Sequence, residues 1–320
     1  MNILVFAESE SNTFKKSSFE ALSYGKEMAK KFDGMCIAVC HQTQDNFEGL
    51  GKYGADKVVN YASDDLAIFN PKSYAEMIVH AAKKHNCQHI VISQTYSGKA
   101  IAPLIAVLME YNIVTGIVDL VEENGEQLEA TKTVFSNKAY ARLSFPKNRM
   151  VITLVPNSCD LKEYDGKTEI IQNSTSFENQ SQTKSLDRIK AKGKIPLTEA
   201  EIVVSAGRGL KGPENWNMIE ELADLLGGAT ACSKPVSDME WRPHSEHVGQ
   251  TGITIKPDLY IAIGISGAIQ HLAGVGSSKN IVVINTDKEA PFFKAADYGI
   301  VGDAFDVVPK MIAELKNIQS

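Results

Sequence analysis

The sequence is poor in the features that mark several protein classes. Its five cysteines, Cys36, Cys40, Cys87, Cys159 and Cys232, are an odd number with no CxxC pair among them. A disulfide framework is therefore not expected, and the thiols read as reduced in a reducing compartment. No window approaches the roughly 18–20 apolar residues of a membrane span. Met1–Glu8 lacks the basic start and long apolar stretch of a secretory signal, so the expected location is cytoplasmic. Lys and Arg number 33 against 39 Asp and Glu, a net charge of -6, which argues against a general nucleic-acid binder because no basic excess exists to neutralise phosphates. No GxSxG, Asp–His relay or metal-ligand spacing is evident, so neither a nucleophilic catalytic residue nor a metal ligand is nominated.

What remains is an ordinary apolar and charged content in 320 residues, about two domains' worth of chain. The first hundred residues alternate strands (Asn2–Ala7, Met35–Val39, Lys57–Asn60, His89–Ser93) with helical stretches (Phe19–Phe32, Pro71–Lys84, Ala100–Glu110). That rhythm predicts βαβ units and a mostly parallel sheet. After Tyr111 the pattern becomes β-rich: Val114–Val121, Leu128–Ser136, Lys138–Phe145 and Met150–Val155 leave little room for helices, and Glu122–Gly125 reads as a hairpin turn. Leu161–Lys194 is polar and reads as an exposed stretch with room for an edge strand. From Pro196 a second α/β region begins, with strands Glu201–Ala206, Asp258–Ile263, Ile281–Asn285 and Gly299–Val301 and helices Pro213–Leu226, Ala268–Gly274 and Pro309–Leu315. The expected fold class is α/β with two domains, 1–195 and 196–320.

The N-terminal half offers little chemistry. His80, His85 and His89 read as a solvated surface cluster, and Gly98-Lys99 as a helix start. The C-terminal half differs. Gly207–Gly212 matches GxGxxG between a strand and a helix, where glycines permit close backbone approach and helix N–H groups can face a diphosphate. The acid expected about 20 residues on, at the end of a second strand, is missing, since Asp224 falls inside the predicted helix. Arg208, one of only five arginines, is placed to face a phosphate or an electron-rich ring. Ser233-Lys234, the Val248-Gly249-Gln250-Thr251 loop, and the Gly264–Gly274 unit follow. The predicted helix puts Ser266 and Gly267 at its start and Gln270 and His271 about one turn in. Asn285 and Asp303 end further strands. Polar groups at several strand ends are where open α/β sheets bind ligands, and their number points to a large one.

These residues carry a resemblance. The run GISGAIQHLAG at Gly264–Gly274, with VGQTG at Val248–Gly252, PDLYIA at Pro257–Ala262, APFFKAADYGIVGD at Ala290–Asp303 and GRGLKGPENW at Gly207–Trp216, resembles the electron transfer flavoprotein alpha subunit. The match is specific over Ile202–Lys310 and looser before it. The resemblance implies an N-terminal domain like the nucleotide-binding fold of the family's smaller beta subunit, a doubly wound C-terminal domain holding FAD, and a heterodimer with that beta subunit. It implies that Arg208 lies near the isoalloxazine ring, that Ser233 contacts the cofactor, and that Val248, Gly249, Gln250 and Thr251 border the flavin. Ser266, Gly267, Ala268, Ile269 and Gln270 should run along the pyrophosphate, with His271 near the ring. Asn285, Asp303 and Ala304 should hold the adenosine end. Many members carry arginine where this chain has Lys234, which keeps the charge but lacks the planar guanidinium.

The function implied is a one-electron carrier without a substrate-turnover site of its own, taking electrons from flavin dehydrogenases such as acyl-CoA dehydrogenases. A flavin-based bifurcating variant fits the same residues. An NAD-dependent oxidoreductase or deacylase-like enzyme on the same α/β domain is the competing class, and the missing ribose-binding acid counts against it. The N-terminal fold alone suggests a non-redox adenine-nucleotide-binding module.

Overall fold

A computed structural model describes residues 1–10, 12–42, 47–135, 138–177 and 195–319. The chain divides into two compact units, Met1–Thr133 with Tyr140–Lys190, and Ala191–Ser320 with Val134–Ala139.

In the first unit β1 (Asn2–Phe6) leads through a small hairpin, β2 (Ser9–Glu10) and β3 (Thr13–Phe14), into α1 (Lys16–Lys31). Then come β4 (Cys36–Cys40), α2 (Glu48–Lys52), β5 (Lys57–Tyr61), α3 (Pro71–Lys84), β6 (Cys87–Ser93) and α4 (Tyr96–Met109). Local chemistry sets these boundaries. Pro71 opens α3, and the Asn70 side chain accepts from the main-chain N–H groups of Lys72 and Ser73, satisfying donors that the first turn leaves unpaired. Thr95 caps α4 in the same way by accepting from the Gly98 N–H at 3.0 Å.

The remainder of the unit is β7 (Asn112–Ile117), β8 (Glu122–Asn124), β9 (Gln127–Val134), β10 (Ala139–Pro146), β11 (Met150–Leu154) and β12 (Glu169–Asn173). The sheet runs β10-β9-β7-β11-β6-β1-β4-β5-β12, with β8 paired to β9. One expectation is corrected here: Met150–Val155 does not belong to the β-rich extension. As β11 it lies between β6 and β7, parallel to both, because every one of its five residues is buried, the mark of a strand covered on both faces. The polar stretch does contain an edge strand, β12, parallel to β5; residues 178–194 lie outside the described residues. Apolar side chains of α1 and of α3 and α4 form separate buried clusters.

The second unit is a five-stranded parallel sheet. Its elements are β13 (Ile202–Ala206), α5 (Asn217–Leu225), β14 (Ala229–Cys232), α6 (Lys234–Asp238), β15 (Leu259–Ile263), α7 (Ile269–Val275), β16 (Asn280–Asn285), β17 (Tyr298–Val301) and α8 (Ala304–Gln319). The strand order β14-β13-β15-β16-β17 makes it doubly wound, with the order reversing between β13 and β15. Three helix boundaries differ from expectation. Pro213–Asn215 is a separate tight turn before α5, α8 starts five residues before Pro309, and α7 starts only at Ile269 because Gly264 and Gly267 hold positive φ.

The three N-terminal histidines do not form a solvated cluster. The ring of His80 meets the Tyr61 hydroxyl at 2.7 Å, and His89 is fully buried on β6, opposite Ile3 and Met150. The His89 ring lies 5.4 Å from that of Phe32, and neither nitrogen has a hydrogen-bond partner. Burial, then the N-terminal ammonium and Lys147, push its pKa down to about 4. A base with a depressed folded-state pKa contributes full stability above its unfolded value near 6.5, and loses it as pH falls toward about 4. Urea unfolding at about pH 7 and about pH 4.5 should therefore show a loss of about 2–3 kcal/mol attributable to His89. His89→Leu should remove that share of the pH dependence. An equally steep dependence in the variant would mean that the ring is charged in the fold.

Candidate functional site

The second unit's polar residues gather where the strands end. Past β13, the N–H of Gly207 donates to the Ile263 carbonyl at 2.9 Å and that of Gly209 to Gly264 at 3.1 Å. The loop after β13 thereby joins the loop after β15 at the point where the strand order reverses. The joint depends on missing side chains, since a Cβ on Gly209 would stand 2.6 Å from the Gly264 Cα. Leu210 plugs into the core and leaves Arg208 and Lys211 exposed. The Lys211 ammonium sits 3.8 Å from a carboxylate oxygen of Asp303 and 4.7 Å from the Phe305 ring centroid.

The strand ending at Cys232, absent from the sequence reading, brings in buried Ser233, whose N–H donates to the Ala206 carbonyl at 3.1 Å. The second strand is thus followed by a serine and not by the acid that holds a ribose in dinucleotide sites. Lys234 turns to Asp238 at 3.3 Å, a pair more than half exposed on both sides and worth little energetically. Val248 is tied to Cys232 (N–H to carbonyl, 3.1 Å), and the N–H of Gln250 donates to the Gln270 carbonyl at 2.7 Å. That bond brings the Val248–Thr251 loop, with Gln250 and Thr251 exposed, beside α7.

Ser266 and Gly267 do not begin α7 but form a turn before it. Gly267 has φ +87, and a Cβ there would lie 2.6 Å from the Phe292 nitrogen; the Phe292 N–H also donates to the Ser266 carbonyl. The turn leaves Ser266, Ala268, Ile269 and Gln270 exposed. His271 points the other way. It is buried between Tyr260 and Phe292, and its Nε2 meets the Tyr260 hydroxyl at 2.8 Å. Its Nδ1 has no hydrogen-bond partner, although the Val248 main chain lies close by. Burial, then the charge of the neighbouring His247, hold its pKa down at about 4, so the ring is neutral at physiological pH.

The remaining candidates are used by the chain itself. The Asn285 amide donates to the Ile265 carbonyl at 3.0 Å while its oxygen accepts from Asp287. Asp303 accepts from the Phe305 N–H at 3.0 Å, capping α8 beside buried Ala304. In the first unit the equivalent crevice, beyond β1 and β6, holds the buried Glu8 carboxylate. It accepts from the Thr95 hydroxyl at 2.6 Å and pairs with Lys15 at 3.1 Å. A carboxylate stands there at the helix start where a nucleotide's phosphate would seat.

Residues 3–176 match the family described as the electron transfer flavoprotein domain, and residues 196–276 match the electron transfer flavoprotein FAD-binding domain. The chain is 33% identical over 320 residues to the electron transfer flavoprotein subunit alpha of Bacillus subtilis, covering 99% of this chain and 98% of that protein. It is 36% identical to the same subunit of Thermoanaerobacterium thermosaccharolyticum, covering 99% and 98%, and 35% identical to the protein FixB of Clostridium saccharobutylicum, covering 99% and 97%. The chain belongs to the electron transfer flavoprotein alpha subunit family.

Its cofactor is accordingly FAD, and the second unit's residues fit that group. The glycine-built loops present main chain at the strand ends without side chains in the way. The rim beside these loops exposes two cationic side chains, Arg208 and Lys211, which suit an anionic, electron-rich ligand. A buried, neutral imidazole with one unsatisfied nitrogen lies beneath the Val248–Thr251 loop. Among the described residues no group of three or more His, Cys, Asp or Glu could hold a metal, and no helix is long and apolar enough to cross a membrane.

Sequence reasoning missed Tyr260 and Phe292, which enclose the His271 ring, and His247, whose nearness disfavours that ring's charged form. Tyr260 was visible as the tyrosine within an otherwise aliphatic strand run. Gly267 offers a test of the turn. In the FAD-free protein, Gly267→Ala should cost roughly 1–3 kcal/mol, because it adds both strain at positive φ and a backbone clash. Ser266→Ala, at an exposed neighbour, should stay within about 0.5 kcal/mol. Tryptophan fluorescence during urea unfolding reads this unit, since Trp216 and Trp241 are the chain's two tryptophans; equal stabilities for both variants would refute the steric account.

Proposed function

We propose that this chain is the FAD-holding subunit of a heterodimeric electron carrier that pairs with a beta subunit and works in the cytoplasm. It takes electrons from flavin dehydrogenases, acyl-CoA dehydrogenases of fatty acid oxidation being the leading class, and delivers them to a downstream acceptor. The likeness to alpha subunits of electron transfer flavoproteins supports the pairing. The observation that carries the reading is the row of polar strand ends in the second unit, with the neutral, half-satisfied His271 behind it.

When bound, FAD supplies redox chemistry in single-electron steps at its ring. The chain's own part is to bind, orient and tune. We assign the domain boundary to 195/196, with residues 196–320 holding the cofactor. Arg208, Ser233 and Lys234 would approach the ring from the ends of β13 and β14. Val248 to Thr251 would border it, with the exposed Gln250 and Thr251 side chains as donors. The turn from Ser266 to Gln270 would offer its main chain to the diphosphate. Asn285, Asp303 and Ala304 would shape the adenosine end, where Asn285 and Asp303 already fix the backbone. No acid–base catalyst is needed, so the reading assigns no substrate-turnover site to this chain.

His271 has a defined task in this scheme. With Nε2 held by Tyr260, the imidazole has one orientation, and Nδ1 is the atom left to interact. A polar contact that strengthens as negative charge builds up on the ring raises the potential more than it raises affinity. The heterodimer, co-purified, should be yellow with FAD equimolar to this chain; a colourless protein that takes up NAD would sink the reading. Within it, His271→Ala should lower the first reduction potential by roughly 40–90 mV, the equivalent of ~1–2 kcal/mol at 59 mV per decade, while FAD affinity changes less. An unchanged potential would make His271 a packing residue.

A further inference from the structure

The most unusual charged group in the second unit lies outside every assigned contact. Arg242 follows α6, and its side chain is only 15% exposed. Its guanidinium forks onto Glu246, Nε to Oε2 at 2.7 Å and Nη2 to Oε1 at 2.8 Å, and Glu246 itself is 8% exposed. The remaining Nη1 reaches Glu220 of α5 at 2.9 Å, and the plane lies 5.3 Å from the ring of buried Trp216. Each of the three guanidinium nitrogens meets a carboxylate oxygen, a geometry that lysine cannot supply.

The partners belong to two different segments. Trp216 ends the stretch that begins with the Gly207–Gly212 loop, where the Asn215 amide donates to the Leu210 carbonyl at 2.9 Å. Glu246 lies two residues before Val248, with His247 paired to Cys232 in between. We propose that Arg242 is a positioning residue for the flavin site, a clamp that sets the Val248–Thr251 loop against the loop carrying Arg208. The proposal rests on the reading that Val248–Thr251 borders the flavin. Stability alone does not account for the cluster: a buried ion pair is commonly neutral or unfavourable against an apolar replacement of similar volume, whereas removing a single partner strands the other charge. What the clamp provides is one fixed geometry between two loops.

The test uses the FAD-loaded heterodimer and three variants. Arg242→Met strands Glu246 and should destabilise the fold as well as loosen the loop. Arg242→Met/Glu246→Leu removes both charges, so the melting temperature of the FAD-free protein should return toward wild type. In that double variant FAD should still dissociate roughly ten- to a hundredfold faster, with its potential shifted in the same direction as in Thr251→Ala. Should Arg242→Met fail to fold, the double variant and Arg242→Lys carry the comparison, with Arg242→Lys expected to keep the fold and lose FAD faster than wild type. Recovery of wild-type FAD retention and potential together with stability would overturn the proposal, reducing Arg242 to a packing element. If Thr251→Ala leaves the potential unchanged, the loop does not border the ring and the proposal falls with that reading; if Thr251→Ala shifts it while the Arg242 variants do not, the proposal alone falls.

Discussion

The second unit depends on a close approach between two pieces of main chain. Where the strand order reverses, the loops after β13 and β15 must leave in opposite directions, yet here they hydrogen-bond through Gly207 to Ile263 and Gly209 to Gly264. The glycines at 207, 209 and 264 admit the contact because a Cβ on any of them would strike backbone within 3 Å. That contact fixes where Arg208 emerges, where the Ser266–Gly267 turn begins, and which carbonyl Asn285 must hold. A diphosphate site made of N–H groups needs its backbone placed before the ligand arrives, and main-chain bonds place it with less freedom than side chains would.

The two units make contrasting use of the same sheet architecture. In the first, the crevice past the central strand is filled by Glu8, hydrogen-bonded to the Thr95 cap of α4 and balanced by Lys15. In the second, the corresponding rim leaves Ser266, Ala268, Ile269 and Gln270 exposed. Both units also bury a neutral histidine, with different consequences. His89 has no polar partner and costs the fold in acid. His271 has one nitrogen committed to Tyr260, which orients the ring, while its Nδ1 faces the protein interior without a hydrogen-bond partner.

Much of this was legible in the sequence, and the gaps have physical causes. Glycine-flanked motifs directly after aliphatic strands disclosed the strand-end loops, because chain conformation at a sheet's end is restricted enough for local residues to report it. Pro71 likewise disclosed the start of α3. The strand Ala229–Cys232 escaped notice because four small residues carry no β-branched or aromatic run; its strand state comes from pairing with β13. Met150–Leu154 was seen as a strand but assigned to the wrong neighbours, since an apolar run shows that both faces are covered and says nothing about order. His89 looked solvated because a histidine's burial is decided by what packs on its strand, here Phe32 from a distant part of the sequence. The inward turn of His271 followed the same logic, as its burial is decided by Tyr260 and Phe292, which pack against the ring.

Ionic groups in the second unit separate by burial into two kinds. Lys234 with Asp238 and Lys316 with Glu221 are short in distance but about half exposed or more, so water screens them and side-chain freedom offsets most of their attraction. Arg242 with Glu246 is withdrawn from water, and its desolvation is tolerable because each of the three guanidinium nitrogens meets a carboxylate oxygen. Such an arrangement adds little net stability while penalising any displacement of the segments it joins. A less directional apolar contact would hold the two segments in register far less closely.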